Sequence, residues 1–510
     1  MDADTPQIRT LVILGASGDL AGRLLLPGLG RLLATGRAEH LNLVGAGYED
    51  WDNERWRQRL VEAFAVAPSI EVPPWERVAP GPGEPGDPTL RRLERDSIYV
   101  PTDVSKPEQV QRLLDVSEGP VALYFALPPA ATVQACHALT ECTIPAGTRM
   151  VLEKPFGTDG PSAAELNELV GRIVPEDHVH RVDHFLGKST VLNLLGVRFA
   201  NRIFEPLWSA AHIDRVEIIY DENLGLEDRA GYYDSAGALR DMIQSHLLQV
   251  LALTAMDPPA TMGQRDVRDR IAEVLRATRA GDPGRYSRRA RYAAGRVGER
   301  DLPAYVDEPG VDPSRQTETL AEMTCFIDSW RWKGVPFLLR SGKGIGSPRK
   351  EVIVTFKPVP HLPTGFQGHS RPARLRLGLG PDCLNLEIDV NGSGDPWTLD
   401  RVVLSTDFGG GDLPAYGEVL AGVLDGDPLL SVRGDAVEEL WRIVTPVLEA
   451  WDAGEVPLEE YAAGTSGPWR PPDYVVADGG ARPVSDGGPR PGPDGDLQPA
   501  PDSAADAVQA

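Results

Sequence analysis

A chain of 510 residues with 41% hydrophobic and 25% charged side chains is long enough for two or three domains around a substantial core. Its 51 Lys and Arg against 75 Asp and Glu leave a formal charge of −24, which argues against general binding of nucleic acid or anionic membranes, since both need clustered cations. Cys136, Cys142, Cys325 and Cys383 show no CxxC pairing, no zinc-like histidine spacing and no disulfide framework, so no metal is expected and buried thiols in a reducing compartment are. No apolar run approaches the roughly 18 residues of a membrane span. The N-terminus has no basic segment followed by an apolar one, and a cytoplasmic location is the resulting expectation.

The run TLVIL at 10–14 is short, apolar and rich in β-branched residues, which predicts a buried parallel strand. GASGDL at 15–20 follows, and then a leucine-rich stretch to about Leu33 that suits a helix. Strand, glycine turn and helix together make a phosphate-binding crossover, with backbone N–H groups facing a pyrophosphate. Gly15, Ser17, Gly18, Asp19 and Leu20 are its coenzyme candidates. A serine-hydrolase elbow is excluded, because GxSxG needs glycine where Asp19 stands. The strand-to-glycine pattern repeats at 41–45. Helices are expected around 52–65, after Lys106 and around 131–142, and strands near 97–100, 121–127 and 149–153. This alternation predicts a doubly wound, Rossmann-type α/β sheet over residues 8–185. The proline- and glycine-rich stretch at 68–88 reads as a surface insertion.

EKPFG at 153–157 closes what reads as the sixth strand-like segment, at the end of the sheet where ligands bind. Lys154 is placed there for a nicotinamide or a sugar hydroxyl, with a loop-solvating lysine as the competing account; Pro155 sets a rigid turn compatible with a cis bond. RVDHFLGK at 181–188 packs a carboxylate, an imidazole and an ammonium into one short stretch. On a strand, Asp183 and His184 point to opposite faces, one to orient a catalytic group and the other to bind a ligand. Lys188 follows a glycine where a helix is expected to begin, a position that suits an anion, and the competing account is a solvated turn.

Beyond Lys188 the pattern changes to a β+α domain over 186–474. A strand is expected at 216–220 and a long helix at 232–256, with Leu239, Met242, Ile243, His246 and Val250 on one stripe. A satisfied core histidine is the commoner explanation for His246 on such a stripe. Asp241 lies five residues before it, about 140° around at 3.6 residues per turn, so spacing alone does not join the two. Alternating runs between 351 and 404 predict antiparallel strands with one solvated face, and helices return at 413–424 and 433–453. Residues 475–510, rich in Gly, Pro, Asp and Ala, read as a disordered tail.

These strings, with RFAN at 198–201, GYYDSAGALRDMIQSH at 231–246, VPFLLRSGK at 335–343 and YAAGTSGP at 461–468, resemble the glucose-6-phosphate dehydrogenase family in order over residues 8–470. The resemblance implies oxidation of a sugar-phosphate C1 hydroxyl to a lactone with hydride transfer to NAD or NADP, at the entry to the pentose phosphate pathway. It also implies a large, mainly antiparallel sheet at a homodimer or homotetramer interface, with no nucleic-acid or membrane partner. By the same resemblance His246 is the general base and Asp183 its orienting carboxylate. His184 and Lys188 hold the substrate phosphate, and Glu222, Asp241, Lys343 and Lys154 complete the sugar pocket. Four departures stand out. Phe185 replaces a tyrosine, Leu24 a lysine and Asp389 a glutamine. GAGYED at 45–50 lacks the arginine that grips the NADP 2′-phosphate. Tyr48 is expected to stack on adenine, while Glu49 or Asp50 would repel that phosphate and suit NAD. A dehydrogenase of a different sugar and a non-catalytic regulatory paralogue remain the alternatives.

Overall fold

The computed structural model describes residues 7–38, 40–66, 88–183, 185–187, 189–227, 230–392, 394–408 and 413–468. His184, Lys188, the tail at 475–510 and all but the last residue of the insertion expected at 68–88 lie outside them.

Six parallel strands build the first sheet: β1 (Thr10–Leu14), β2 (Asn42–Gly47), β3 (Ile98–Pro101), β4 (Val121–Phe125), β5 (Arg149–Leu152) and β6 (Val179–Arg181). Their spatial order is β3-β2-β1-β4-β5-β6, the order of a dinucleotide-binding fold. Both faces are buried, as the continuous apolar strands require. Val12, Leu14, Leu123 and Leu152 face one core, and Leu11, Ile13, Tyr124 and Val151 face the other. Two expectations need correction. EKPFG follows the fifth strand, not the sixth. The sixth ends at Arg181, so Asp183 sits on the turn beyond it rather than on a strand. The helix Pro88–Asp96 was not anticipated, since only Leu90 and Leu93 of its residues are buried.

A second, ten-stranded sheet runs from Leu399–Asp407 through Cys383–Asn391, Arg374–Gly378, Lys350–Phe356, Ile213–Asp221, Pro336–Gly342, Leu320–Ile327 and Ser287–Ala293 to Leu458–Ala462, with Thr278–Ala280 added beside Leu320–Ile327. It is mostly antiparallel; Ile213–Asp221 with Pro336–Gly342 and Ser287–Ala293 with Leu458–Ala462 are the parallel pairs. Lys350–Phe356 is buried on both faces, where one solvated face was expected. One continuous core joins the first sheet to the second: Leu14 and Leu152 belong to the same cluster as Ile218, Leu339 and Trp441. The helix Ala415–Asp425 packs back on the opposite face of the first sheet, against Leu26–Ala34.

The long helix expected at 232–256 is broken. Ala230–Ala238 contains Gly237 at φ +70, ψ 170, the next segment Leu239–Leu247 is wound as a π-helix, and Leu248–Ala255 resumes as an α-helix. Gly237 is required: an added Cβ would lie 2.4 Å from Glu318 Oε1. That carboxylate accepts the Leu239 N–H at 2.9 Å and so fixes where the π segment begins. Among the described residues no helix is long and apolar enough to cross a membrane.

Candidate active site

The site forms where the turns after β5 and β6 meet the π segment. Asp183 Oδ1 lies 2.5 Å from His246 Nδ1 and also accepts the Phe185 N–H at 2.9 Å. Both side chains are buried. The carboxylate fixes the tautomer: Nδ1 carries the proton and Nε2 keeps its lone pair. Burial pushes the His246 pKa below its ordinary value, partly offset by Asp183.

Nε2 faces Lys154. The Lys154 Nζ is 3.1 Å from His246 Nε2 and 3.1 Å from Asp241 Oδ1, and it also donates to the Asp241 carbonyl. Burial alone would raise Asp241, but Lys154, His246 and Lys343 hold it down at about 2. Asp241 and His246 therefore share one site although α-helical spacing separates them. The π winding accounts for this, because i→i+5 bonding brings residues five apart onto one side. The Lys154–Pro155 bond is cis, and the Phe156 carbonyl, two residues beyond Lys154, accepts Trp441 Nε1 at 3.1 Å.

A second pair stands nearby. Ile213–Asp221 and Pro336–Gly342 run parallel with Asp221 opposite Gly342, so the residues just past them emerge side by side. Those residues are Glu222 and Lys343, joined at 2.6 Å. Tyr233 lies under the Lys343 ammonium, 5.1 Å from ring centroid to Nζ, and Tyr461 Oη donates to the Lys343 carbonyl at 2.6 Å.

Several groups escaped the sequence reading. The Phe185 ring stacks on the His246 imidazole at 4.3 Å and 14°, and meets Tyr220 edge-on at 4.8 Å. It is a buried wall of that imidazole. Tyr232 Oη donates to Asp241 Oδ1 at 3.4 Å. Glu153, beside Lys154, accepts the Tyr124 hydroxyl, and burial raises its pKa to about 7. Nothing in the periodicity of these positions marks them, since each depends on a contact between distant segments.

The coenzyme candidates divide. Gly15, Ser17, Gly18 and Tyr48 line a cleft of about 340 Å³ at the carboxyl ends of β1, β2 and β4. At Gly15, φ is +83 and an added Cβ would lie 2.3 Å from the Ala126 carbonyl oxygen, so the turn closes against the end of β4 only with glycine there. Asp19 is exposed and pairs with Arg23 at 3.2 Å, and Leu20 caps the next helical turn; neither lines the cleft. Lys154 stands with His246 instead. Among the departures, Leu24 is exposed, and Asp389 is held by Arg401 at 2.9 Å and the Arg371 N–H at 2.7 Å.

The family model for the glucose-6-phosphate dehydrogenase NAD binding domain matches residues 12–193, and that for its C-terminal domain matches 195–481. The chain belongs to the glucose-6-phosphate dehydrogenase family. A glucose-6-phosphate 1-dehydrogenase of Treponema pallidum is 38% identical over 485 residues, spanning 90% of this chain and 92% of that protein. One from Mycolicibacterium smegmatis is 37% identical, spanning 90% and 94%. Among solved structures, glucose-6-phosphate 1-dehydrogenase from Mycobacterium avium superposes with a TM-score of 0.78 at 32% identity, covering 91% of this chain and 95% of its own. A glucose-6-phosphate dehydrogenase in complex with its substrate glucose-6-phosphate gives 0.79 at 27% identity, covering 92% and 97%. Membership in the glucose-6-phosphate dehydrogenase family thus extends across both sheets and the site between them.

Proposed function

We propose that this chain is a glucose-6-phosphate dehydrogenase, oxidising the C1 hydroxyl of glucose 6-phosphate to the lactone at the entry to the pentose phosphate pathway. The observation that carries the reading is the buried Asp183–His246 pair, whose Nε2 stands 3.1 Å from the Lys154 ammonium that also holds Asp241. His246 Nε2 takes the C1 hydroxyl proton; neutral at pH 7, it is ready to accept one. Asp183 holds the Nδ1 proton in place and stabilises the imidazolium that results. Lys154 occupies the approach to Nε2, so substrate entry exchanges one ammonium contact for the sugar hydroxyl. Asp241, Glu222 and Lys343 orient the remaining hydroxyls, and His184 and Lys188 hold the phosphate by charge-assisted bonds. Bound NAD(P) in the cleft beside Gly15, Ser17 and Gly18 supplies the hydride acceptor.

Cytoplasmic homodimers or homotetramers fit the same reading. Val403 and Leu404 on the outermost strand are more than half exposed, which supports pairing there; light scattering on the eluting protein measures the mass. The activity test is reduction of either coenzyme by purified protein with glucose 6-phosphate, with glucose as the control lacking the phosphate. His246→Asn is expected to lower kcat by roughly 10²–10⁴. A folded wild type that binds dinucleotide but reduces none would instead favour the regulatory reading.

A further inference from the structure

The cleft at the ends of β1, β2 and β4 has an unusual charge pattern for a dinucleotide site. Its walls carry two carboxylates, Glu49 and Asp103, and no lysine or arginine among the described residues. Glu49 lies just past β2, where a Rossmann fold meets the adenosine ribose. Its Oε2 accepts the Ser17 hydroxyl at 2.5 Å, which ties this exposed carboxylate to the glycine turn. Gly47 keeps the space beside it open, since a Cβ there would lie 3.1 Å from Glu49 Oε2 and 3.4 Å from Ser17 Oγ.

The cations nearest in sequence already have partners and none of them lines the cleft. Arg23 pairs with Asp19 at 3.2 Å, Arg55 stacks over Trp51 at 4.6 Å, and Arg59 Nη2 donates to the Gly18 carbonyl at 3.1 Å. Tyr48 is 86% exposed and offers a ring face without charge.

We infer that Glu49, fixed by Ser17, selects NAD over NADP by accepting the ribose 2′-hydroxyl and repelling a 2′-phosphate. A free 2′-hydroxyl donates a charge-assisted hydrogen bond to the carboxylate. A 2′-phosphate brings a further charge of about −1.5 to −2 against that carboxylate, and the cleft wall supplies no cation to neutralise it. Asp50 lies outside the wall, whereas Glu49 lines it and is bonded to Ser17, so the discrimination belongs to Glu49. The inference rests on the dinucleotide reading of the cleft given above.

Calorimetric titration of the purified full chain with NAD⁺ and NADP⁺, without sugar, separates the two. Wild type is expected to bind NAD⁺ about a hundredfold tighter. Glu49→Gln, which keeps an acceptor but removes the charge, is expected to narrow the gap about tenfold by tightening NADP⁺. Tyr48→Arg added to Glu49→Gln is expected to invert the preference. NADP⁺ binding as tight as NAD⁺ in wild type would overturn the inference and leave the dehydrogenase reading standing, as would a ratio that moves with Asp50→Asn and not with Glu49→Gln. Binding of neither coenzyme would overturn both.

Discussion

Lys154 carries the densest set of contacts in the site, and its ammonium does most, with Lys343 and His246, to keep the half-buried Asp241 ionised. Replacing it by methionine removes the nearest of these charges from the carboxylate, which is expected to cost about 2 kcal/mol in urea unfolding. The double variant Lys154→Met/Asp241→Asn should recover most of that loss, because the stranded charge is gone. If His246 is the base, as proposed, it sets the acid limb of activity. Its pKa lies below the ordinary histidine value, so kcat/KM should fall only as pH drops beneath about 6.5. Asp183 stabilises the protonated ring, and Asp183→Asn should therefore move the limb to still lower pH while reducing kcat. Lys154 and Asp183 were legible in the sequence as chemically rich positions. Phe185 stands out in the sequence only as a departure, a phenylalanine in a tyrosine's place; the structure shows it stacked on the His246 imidazole, information that no single stretch contains.

The broken helix at 230–255 shows where pattern reading succeeds and where it stops. Leu239, Met242, Ile243, His246 and Val250 are all buried, as their spacing suggested. Spacing at 3.6 residues per turn throughout, however, does not join Asp241 to His246; only the family resemblance puts Asp241 in the sugar pocket, and the π winding supplies the physical reason. The winding begins at a point set by Glu318, a buried carboxylate just before the strand Leu320–Ile327 whose pKa burial raises to about 6. Gly237→Ala forces a side chain to φ +70 and into that carboxylate, and is expected to cost more than about 2 kcal/mol and to lower kcat with it. Glu318→Gln retains an oxygen for the Leu239 N–H and should be much milder than Glu318→Leu, a contrast that thermal melts and kcat together would read. β6 is hard to see for a related reason. Three residues carry no period, and pairing with β5 is what makes them a strand.

For the molecule as a whole, the alternation of strands and helices exposed the first sheet, and the ordered motifs exposed the family. The strand order of the second sheet was not legible, since parallel neighbours such as Ile213–Asp221 and Pro336–Gly342 lie more than a hundred residues apart. Stability against acid belongs to this scale too. His180 sits in the core, where burial and the nearby Arg149 and Arg268 lower its pKa to about 3. The unfolded chain takes up a proton there near pH 6.5 while the folded one does not, so this contribution is full above pH 6.5 and is lost as pH falls towards 3. Relative to its own value at pH 7.5, His180→Gln should gain about 2 kcal/mol on wild type by pH 5. Urea unfolding at the two pH values measures the difference.

Lys154 leaves the end of β5 and finds its partners on a helix belonging to the other sheet. Turnover is thereby tied to the seam between the sheets: a shift there that parts Lys154 from Asp241 and His246 reaches the reaction site while leaving the glycine turn of the coenzyme cleft untouched. Because one core spans both sheets, turnover and coenzyme binding should be lost in a single transition in a denaturant series.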